Sequence, residues 1–253
     1  MRRPLVMGNW KMNGSLVSNQ ALVDALSPVA AECARIDVAV CPAFIHLPQV
    51  INLCQSGAIQ VGAQNMSDQE KGAFTGEVSG DMLRDLDVTY VLLGHSERRA
   101  LYGETDLLVA AKVDKALEKG LVPVLCVGET LEERQSGKMQ GVIEAQVRAV
   151  LERSKIEAFT QIVIAYEPVW AIGTGETASP EQAQEVHAFI RDLLAQESAE
   201  IAARTTILYG GSVNAGNAQA LFAMADVDGG LVGGASLKAD DFAAICRAAQ
   251  ASL

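Results

Sequence analysis

The sequence predicts an α/β protein in which eight parallel strands close into a single (β/α)8 barrel. Three observations carry this expectation. Short apolar runs rich in Val, Ile and Leu recur eight times, each continuous rather than alternating, as strands buried on both faces require. Stretches with helical spacing lie between them. No Ser/Pro-rich linker interrupts the alternation, so the 253 residues read as one domain over 1–253. A doubly wound open sheet is the alternative. The unit count favours closure, as does the lack of a G-x-G-x-x-G after the first strand.

The first run, "LVMGNW", ends against Asn9 and Lys11. The helical stretch "SNQALVDALSPVAAECA" follows, with Ala21, Leu22, Ala25 and Leu26 on the stripe expected to be buried. "DVAVC" and "IQVGA" are the second and third strands. After them comes "AQNMSDQEKGAFTGEVSG", residues 63–80, rich in Gly, Ser, Gln and charge. It reads as a loop, and loops longer than about 12–15 residues in compact domains usually have a function. The fourth strand, "VTYVLLG", runs into His95, Ser96 and Glu97. "ETDLLVAAKVDKALEKG" is a helix ending in lysines and Gly120, a C-terminal signal. "LVPVLCV" and "QIVIAY" are the fifth and sixth strands, the latter continuing into "EPVWAIGTG". "SPEQAQEVHAFIRDLLAQ" starts with Ser179 as N-cap and Pro180 at the first helical position. "TTILYGG" and "VDGGLVGG" complete the set, each closing on glycines.

Composition narrows the function. Hydrophobic residues make up 49% and charged residues 20%, the profile of a soluble globular chain. No apolar run reaches the roughly 20 residues that cross a bilayer, and "MRRPLVMGNW" lacks a signal-peptide core, so it reads as a mature start. A net charge of −11 argues against nucleic acid and anionic membranes as partners. It leaves room for a small anion in a locally positive pocket. The five cysteines are odd in number and scattered, with no C-x-x-C pair, which points to a reduced, cytoplasmic setting. No cluster of His, Cys or acids has metal-ligand spacing, so no metal is expected. His46 and His187 fall in helical stretches and read as structural or solvated.

Barrel active sites lie at the C-terminal ends of the strands, so the polar residues there bear the chemistry. An amine (Lys11, beside Asn9), an imidazole (His95) and a carboxylate (Glu167) end three different strands. A carboxylate facing an imidazole suits removal of a carbon-bound proton beside a carbonyl, with imidazole and amine stabilising the enediolate. The glycine-rich turns after the last two strands expose backbone N–H groups and form a phosphate cradle. Gly211, Ser212, Gly233 and Gly234 supply its donors. "EPVWAIGTG" has the composition of a lid. Pro168 pins its start, Gly173 and Gly175 free its end, and its apolar middle excludes water.

"GNWKMNG", "GHSERR", "YEPVWAIGTG", "YGGSVN" and "LVGGASL", in this order along the whole chain, resemble the triosephosphate isomerase family. The resemblance implies a cofactor-free isomerase that interconverts dihydroxyacetone phosphate and D-glyceraldehyde 3-phosphate. It implies Glu167 as the base, His95 as the neutral electrophile, and Asn9 and Lys11 as substrate contacts. Gly173, Ser212, Gly233 and Gly234 would hold the phosphate. Ser96 would receive the resting Glu167, Glu97 would support from behind, and Tyr209 would bond the closed lid, although on the residues alone Glu97 could be merely the start of a helix and Tyr209 could equally be a packed strand tyrosine. The loop 63–80 would interdigitate with a second copy, sending Thr75 toward the partner's Asn13 and Lys11. That makes the expected assembly a homodimer. The chain departs from the pattern at Glu176, where many members carry Lys. Other readings are a different phosphate-binding barrel, which would lack "GNWK" and the lid, and an inert barrel, which would have lost one of Asn9, Lys11, His95 or Glu167.

Overall fold

The computed structural model describes residues 2–55, 57–172 and 177–253. Its strands are β1 (Leu5–Asn9), β2 (Asp37–Cys41), β3 (Gln60–Ala63), β4 (Tyr90–Leu93), β5 (Val122–Val127), β6 (Val163–Tyr166), β7 (Ile207–Tyr209) and β8 (Gly229–Val232). They form a closed parallel barrel in chain order, with β1 paired to both β2 and β8. The longer helices are α1 (Leu16–Glu32), α2 (Leu47–Leu53), α3 (Gly80–Asp85), α4 (Ser96–Tyr102) and α5 (Asp106–Glu118). After β5 come α6 (Leu131–Gln135), α7 (Met139–Ser154), α8 (Pro180–Glu197), α9 (Ala199–Arg204), α10 (Ala218–Phe222) and α11 (Ala239–Ala251). The fourth, sixth, seventh and eighth strands are shorter than their apolar runs: each begins two residues late, and after the fourth, seventh and eighth the glycines at the run's end leave the ladder and lead into the loops at the C-terminal rim.

The continuous apolar runs have a simple cause. Alternate residues of each strand face the barrel axis or the helices, and both sides are dry. Leu5, Met7, Tyr90, Leu92, Val124, Cys126, Val163, Ala165, Leu208 and Leu231 fill the interior. Val6, Val91, Leu93, Leu125, Ile164 and Val232 meet the helical layer. The same alternation continues past the strand ends. Asn9 follows Leu5 and Met7 on the inner face, and Glu167 follows Val163 and Ala165. His95 sits one residue off this parity. Gly94, at φ +72°, turns the chain there, and a Cβ on it would lie 2.9 Å from Val109 and from the Arg99 guanidinium.

Helix signals are borne out at their ends and corrected on one face. Ser179 caps α8 in a reciprocal box with Gln182, and Pro180 holds the first position. Gly120 turns the chain after α5 at φ +68°. In α1, however, the buried stripe is Asn19, Val23, Leu26 and Ala30; Ala21 and Ala25 are exposed. Val23 and Leu26 supply the larger apolar surface of that stripe, and small alanines do not dictate which face turns inward.

The long loop after β3 is anchored at its base and exposed at its tip. Lys112 Nζ donates to Asn65 Oδ1 at 2.9 Å and to Glu104 Oε1 at 2.6 Å, with Lys112 and Glu104 buried. Arg98 Nε reaches the same carboxylate oxygen at 2.7 Å. Residues 69–77, including Phe74 and Thr75, stand out in solvent. Among the described residues no helix is long and apolar enough to cross a membrane. The five cysteines are free and buried.

His187, fully buried on α8, packs edge-on against Tyr166 with ring centroids 5.8 Å apart. Its Nδ1 lies 3.1 Å from the Asp226 carbonyl, which can only accept, so the single ring proton sits on Nδ1. Burial lowers its pKa to about 4. The unfolded chain therefore binds a proton near pH 6.5 that the folded protein refuses until about pH 4. Stability should drop as pH falls through this window, by roughly 2 kcal/mol between pH 7 and pH 5 from this group. Urea unfolding at the two pH values should show that loss in the native protein and a markedly smaller one in His187→Phe. Equal slopes would remove His187 as the cause.

Candidate active site

A cavity of about 490 Å³ opens at the C-terminal rim of the barrel. Asn9, Lys11, His95, Glu167, Ser212, Gly233 and Gly234 all line it. Ser96 and Glu97 stand behind this shell, Tyr209 lies beneath the turn after β7, and Thr75 is exposed on its loop away from the chain's own cavity. Gly173, Gly175 and Glu176 fall outside the described residues.

Lys11 is held in an unusual backbone state. Its φ is +53°, a region that costs a non-glycine residue about 1–2 kcal/mol. Two side chains fix it there. Asn9 Oδ1 accepts from the Lys11 N–H at 3.0 Å, and Gln64 Nε2 donates to the Lys11 carbonyl at 2.8 Å. Gln64 also reaches the Cys41 carbonyl at 2.8 Å, tying this turn to the end of β2. The Lys11 ammonium meets Glu97 Oε1 at 2.5 Å, with both side chains partly exposed. A pair so open to water contributes little stability, so its effect is to hold the amine over the cavity.

His95 caps α4. Its Nδ1 accepts the Glu97 N–H at 3.2 Å, which leaves the ring proton on Nε2. Nε2 lies 2.8 Å from Glu167 Oε1. Burial presses the imidazole toward neutrality, but the Glu167 carboxylate outweighs it, and the pKa is raised above the ordinary histidine value. The helix N-terminus opposes a second proton on Nδ1, so the raised affinity belongs to the pair and lasts only while Glu167 touches the ring.

Glu167 is 2% exposed. Its Oε2 accepts the backbone N–H of Ser96 at 2.9 Å, so the serine amide rather than its hydroxyl receives the carboxylate. Both oxygens thus have donors. The Gly128 backbone passes directly against Glu167, where a Cβ would lie 1.8 Å from the Glu167 carbonyl oxygen.

Opposite these groups lies a floor of amides. Among the described residues, the N–H groups of Gly211, Ser212, Val213, Gly233 and Gly234 have no acceptor. Backbone amides without an acceptor, on residues that line one cavity, suit an anion. The Tyr209 hydroxyl is buried and lacks a hydrogen bond of ordinary length, although the Ala178 backbone is near enough to act on it. Burial raises its pKa to about 12.

One residue of this region escaped the sequence reading. Glu129 is fully buried two residues beyond β5. Its Oε1 accepts from Tyr166 Oη at 3.1 Å, Trp170 Nε1 at 2.9 Å and Arg134 Nη1 at 3.1 Å. It thereby ties the segment after Glu167 to α6. The signal available was a carboxylate at a strand end flanked by "VG" and a helix cap; nothing in the sequence says that Trp170 comes to meet it.

Comparison with known proteins agrees with the geometry. A family model described as Triosephosphate isomerase matches residues 4–249. The chain is 57% identical over 249 residues to a protein of Thiobacillus denitrificans named triosephosphate isomerase, covering 98% of this chain and 99% of that one. It is 55% identical over 250 residues to the protein of that name from Hydrogenovibrio crunogenus, with the same coverage, and 53% identical over 249 residues to that of Nitrosococcus oceani, with 98% and 100% coverage.

Proposed function

The chain belongs to the triosephosphate isomerase family, and from that premise we propose how its residues divide the work. The reaction interconverts dihydroxyacetone phosphate and D-glyceraldehyde 3-phosphate, a step of glycolysis and gluconeogenesis. The observation that carries the assignment is the Glu167 carboxylate lying against His95 Nε2 across a cavity floored by free amides.

Glu167 is the base. At rest both its oxygens are occupied by N–H donors, which hold the carboxylate in place beside the cavity. Entry of substrate releases the carboxylate from His95 and Ser96, and closure over it excludes water from the reacting groups. Glu167 then takes the proton from one carbon and returns it to its neighbour. His95, once the carboxylate has left, is buried with its Nδ1 bound to the helix N–H, and both influences hold it neutral. Its Nε2 proton is thus a donor to the substrate carbonyl, and the ring passes protons between the two oxygens. Lys11, with Asn9 beside it, supplies the charge that the phosphate and the growing enediolate need. Ser212, Gly233 and Gly234, joined by Gly173 from the lid, take the phosphate. Tyr209 bonds the closed lid, and Glu97 releases Lys11 to the substrate.

The protein acts as a single barrel domain over 1–253 and as a homodimer of the cytoplasm. The free thiols support that compartment. Exposed apolar side chains support the dimer: Met12, Val17, Ile45, Phe74 and Tyr102 stand in solvent on the loop tip and on segments following β1, β2 and β4. The loop 63–80 would carry Thr75 to the partner's Lys11.

A coupled assay with glyceraldehyde 3-phosphate, run across a dilution series with sedimentation in parallel, tests both parts. Specific activity should fall in step with the dimer fraction. A folded dimer without isomerisation would sink the reaction, and a fully active monomer would sink the role of the loop.

A further inference from the structure

An anion cradle made of backbone must hide its carbonyls as well as show its amides. In a trans peptide unit the C=O and the following N–H point in opposite directions. Whatever holds the carbonyl therefore aims the amide. In the turn after β7 the carbonyl of Ser212 accepts from Asn217 Nδ2 at 2.9 Å, and no other donor reaches it among the described residues. Asn217 lies outside the cavity lining. The other end of its carboxamide, Oδ1, accepts the Asn214 N–H at 2.8 Å, which removes that amide from the cavity side and locks the carboxamide's orientation. Asn214 in turn accepts from the Gly216 and Asn217 amides at 2.9 and 3.2 Å. The result is a closed polar ring behind the turn, with the Val213 N–H facing the other way.

The turn after β8 uses the same device with different parts. The Gly233 carbonyl accepts both the Ser236 N–H at 2.8 Å and the Ser236 hydroxyl at 2.7 Å. That leaves the Gly234 N–H directed oppositely. Ser236 is fully buried.

We propose that Asn217 is a positioning residue for the phosphate: by holding the Ser212 carbonyl away from the cavity, it fixes the Val213 amide of the same peptide unit toward the anion. Ser236 plays the matching part after β8. The difference between the two turns sets an order. Gly233 keeps one donor if the Ser236 hydroxyl is lost, whereas Ser212 keeps none if Asn217 is lost. Val213 is β-branched and resists the positive φ of a full peptide flip, so the freed unit tilts rather than inverts. The expected loss is accordingly moderate.

This inference rests on the phosphate reading of the cradle, and the experiment separates the two. Steady-state kinetics with glyceraldehyde 3-phosphate, inhibition by inorganic phosphate, and kcat/KM for glyceraldehyde would be measured for the native dimer, Asn217→Ala, Asn217→Asp and Ser236→Ala. Asn217→Asp keeps the acceptor for Asn214 and the local turn but removes the donor, so it holds the test if the alanine variant folds poorly. Both Asn217 variants should raise KM and the phosphate inhibition constant about ten-fold, the worth of one part-buried hydrogen bond. The change in kcat should be smaller. The loss on glyceraldehyde, which has no phosphate, should be several-fold less than the loss on the phosphorylated substrate. Ser236→Ala should show the same split with a smaller size. Equal losses on both substrates, or an unchanged phosphate inhibition constant in the Asn217 variants, would overturn the proposal. Failure of phosphate to compete in the native enzyme would overturn the cradle itself.

Discussion

Replacing Glu167 by Asp should lower kcat by two to three orders of magnitude, in line with the roughly hundred- to ten-thousand-fold that a positioned base contributes. The barrel should remain folded. The substitution keeps a carboxylate of similar acidity and removes one methylene. What changes is position. The oxygens now 2.8 and 2.9 Å from His95 and Ser96 would withdraw toward the strand. A shift of about 1 Å in a reacting group can cost on the order of a hundred-fold, because the near-attack geometry is lost. The backbone at this point is confined by Gly128 and cannot move to compensate. Turnover in the coupled assay and the far-ultraviolet circular dichroism spectrum measure the two halves of the prediction. Near-normal turnover in a folded Asp variant would mean that another group takes the proton.

The second large effect is at Lys11. Lys11→Met keeps the length and apolar stem of the side chain and removes its charge. We expect kcat/KM to fall about a thousand-fold or more, as loss of a charged contact to the phosphate and to an oxyanion implies. Stability should change by less than about 1 kcal/mol, since the Lys11–Glu97 pair is partly exposed and Glu97 can return to water. The strained φ of +53° persists in the variant, because Asn9 and Gln64 act on the backbone and not on the ammonium. Denaturant unfolding should therefore nearly superimpose on that of the native protein. An active Lys11→Met enzyme would remove the amine from the reaction; an unfolded one would make Lys11 structural.

The two residues differ in how openly the sequence announced them. Glu167 continues the inward parity of Val163 and Ala165, so its direction follows from a period of two once the strand is found. Asn9 follows by the same rule from Leu5 and Met7. His95 does not, and its aim depends on the left-handed turn at Gly94. The helix caps at Ser179 and Pro180 are local hydrogen-bond chemistry and were legible for that reason. The buried face of α1 was not, because several alanine-rich stripes are equally apolar and the choice among them is made by what the barrel presents.

The sequence by itself determined the eight-unit alternation, the dryness of both strand faces, and the residue types gathered at the strand ends. These are short-range properties: period, capping and composition act within a few residues along the chain. Tertiary structure alone decided the rest. It brought Trp170 onto Glu129, set Gln64 on the carbonyl of Lys11 53 residues away, and joined Asn65 to Lys112 at the base of the long loop. It also turned the Ser212 carbonyl onto Asn217. Each of these is a hydrogen bond between groups whose meeting depends on barrel closure or on the path of a turn, and no local preference encodes such a meeting. The chain names its chemical groups, and the closed barrel sets the distances that make them act together.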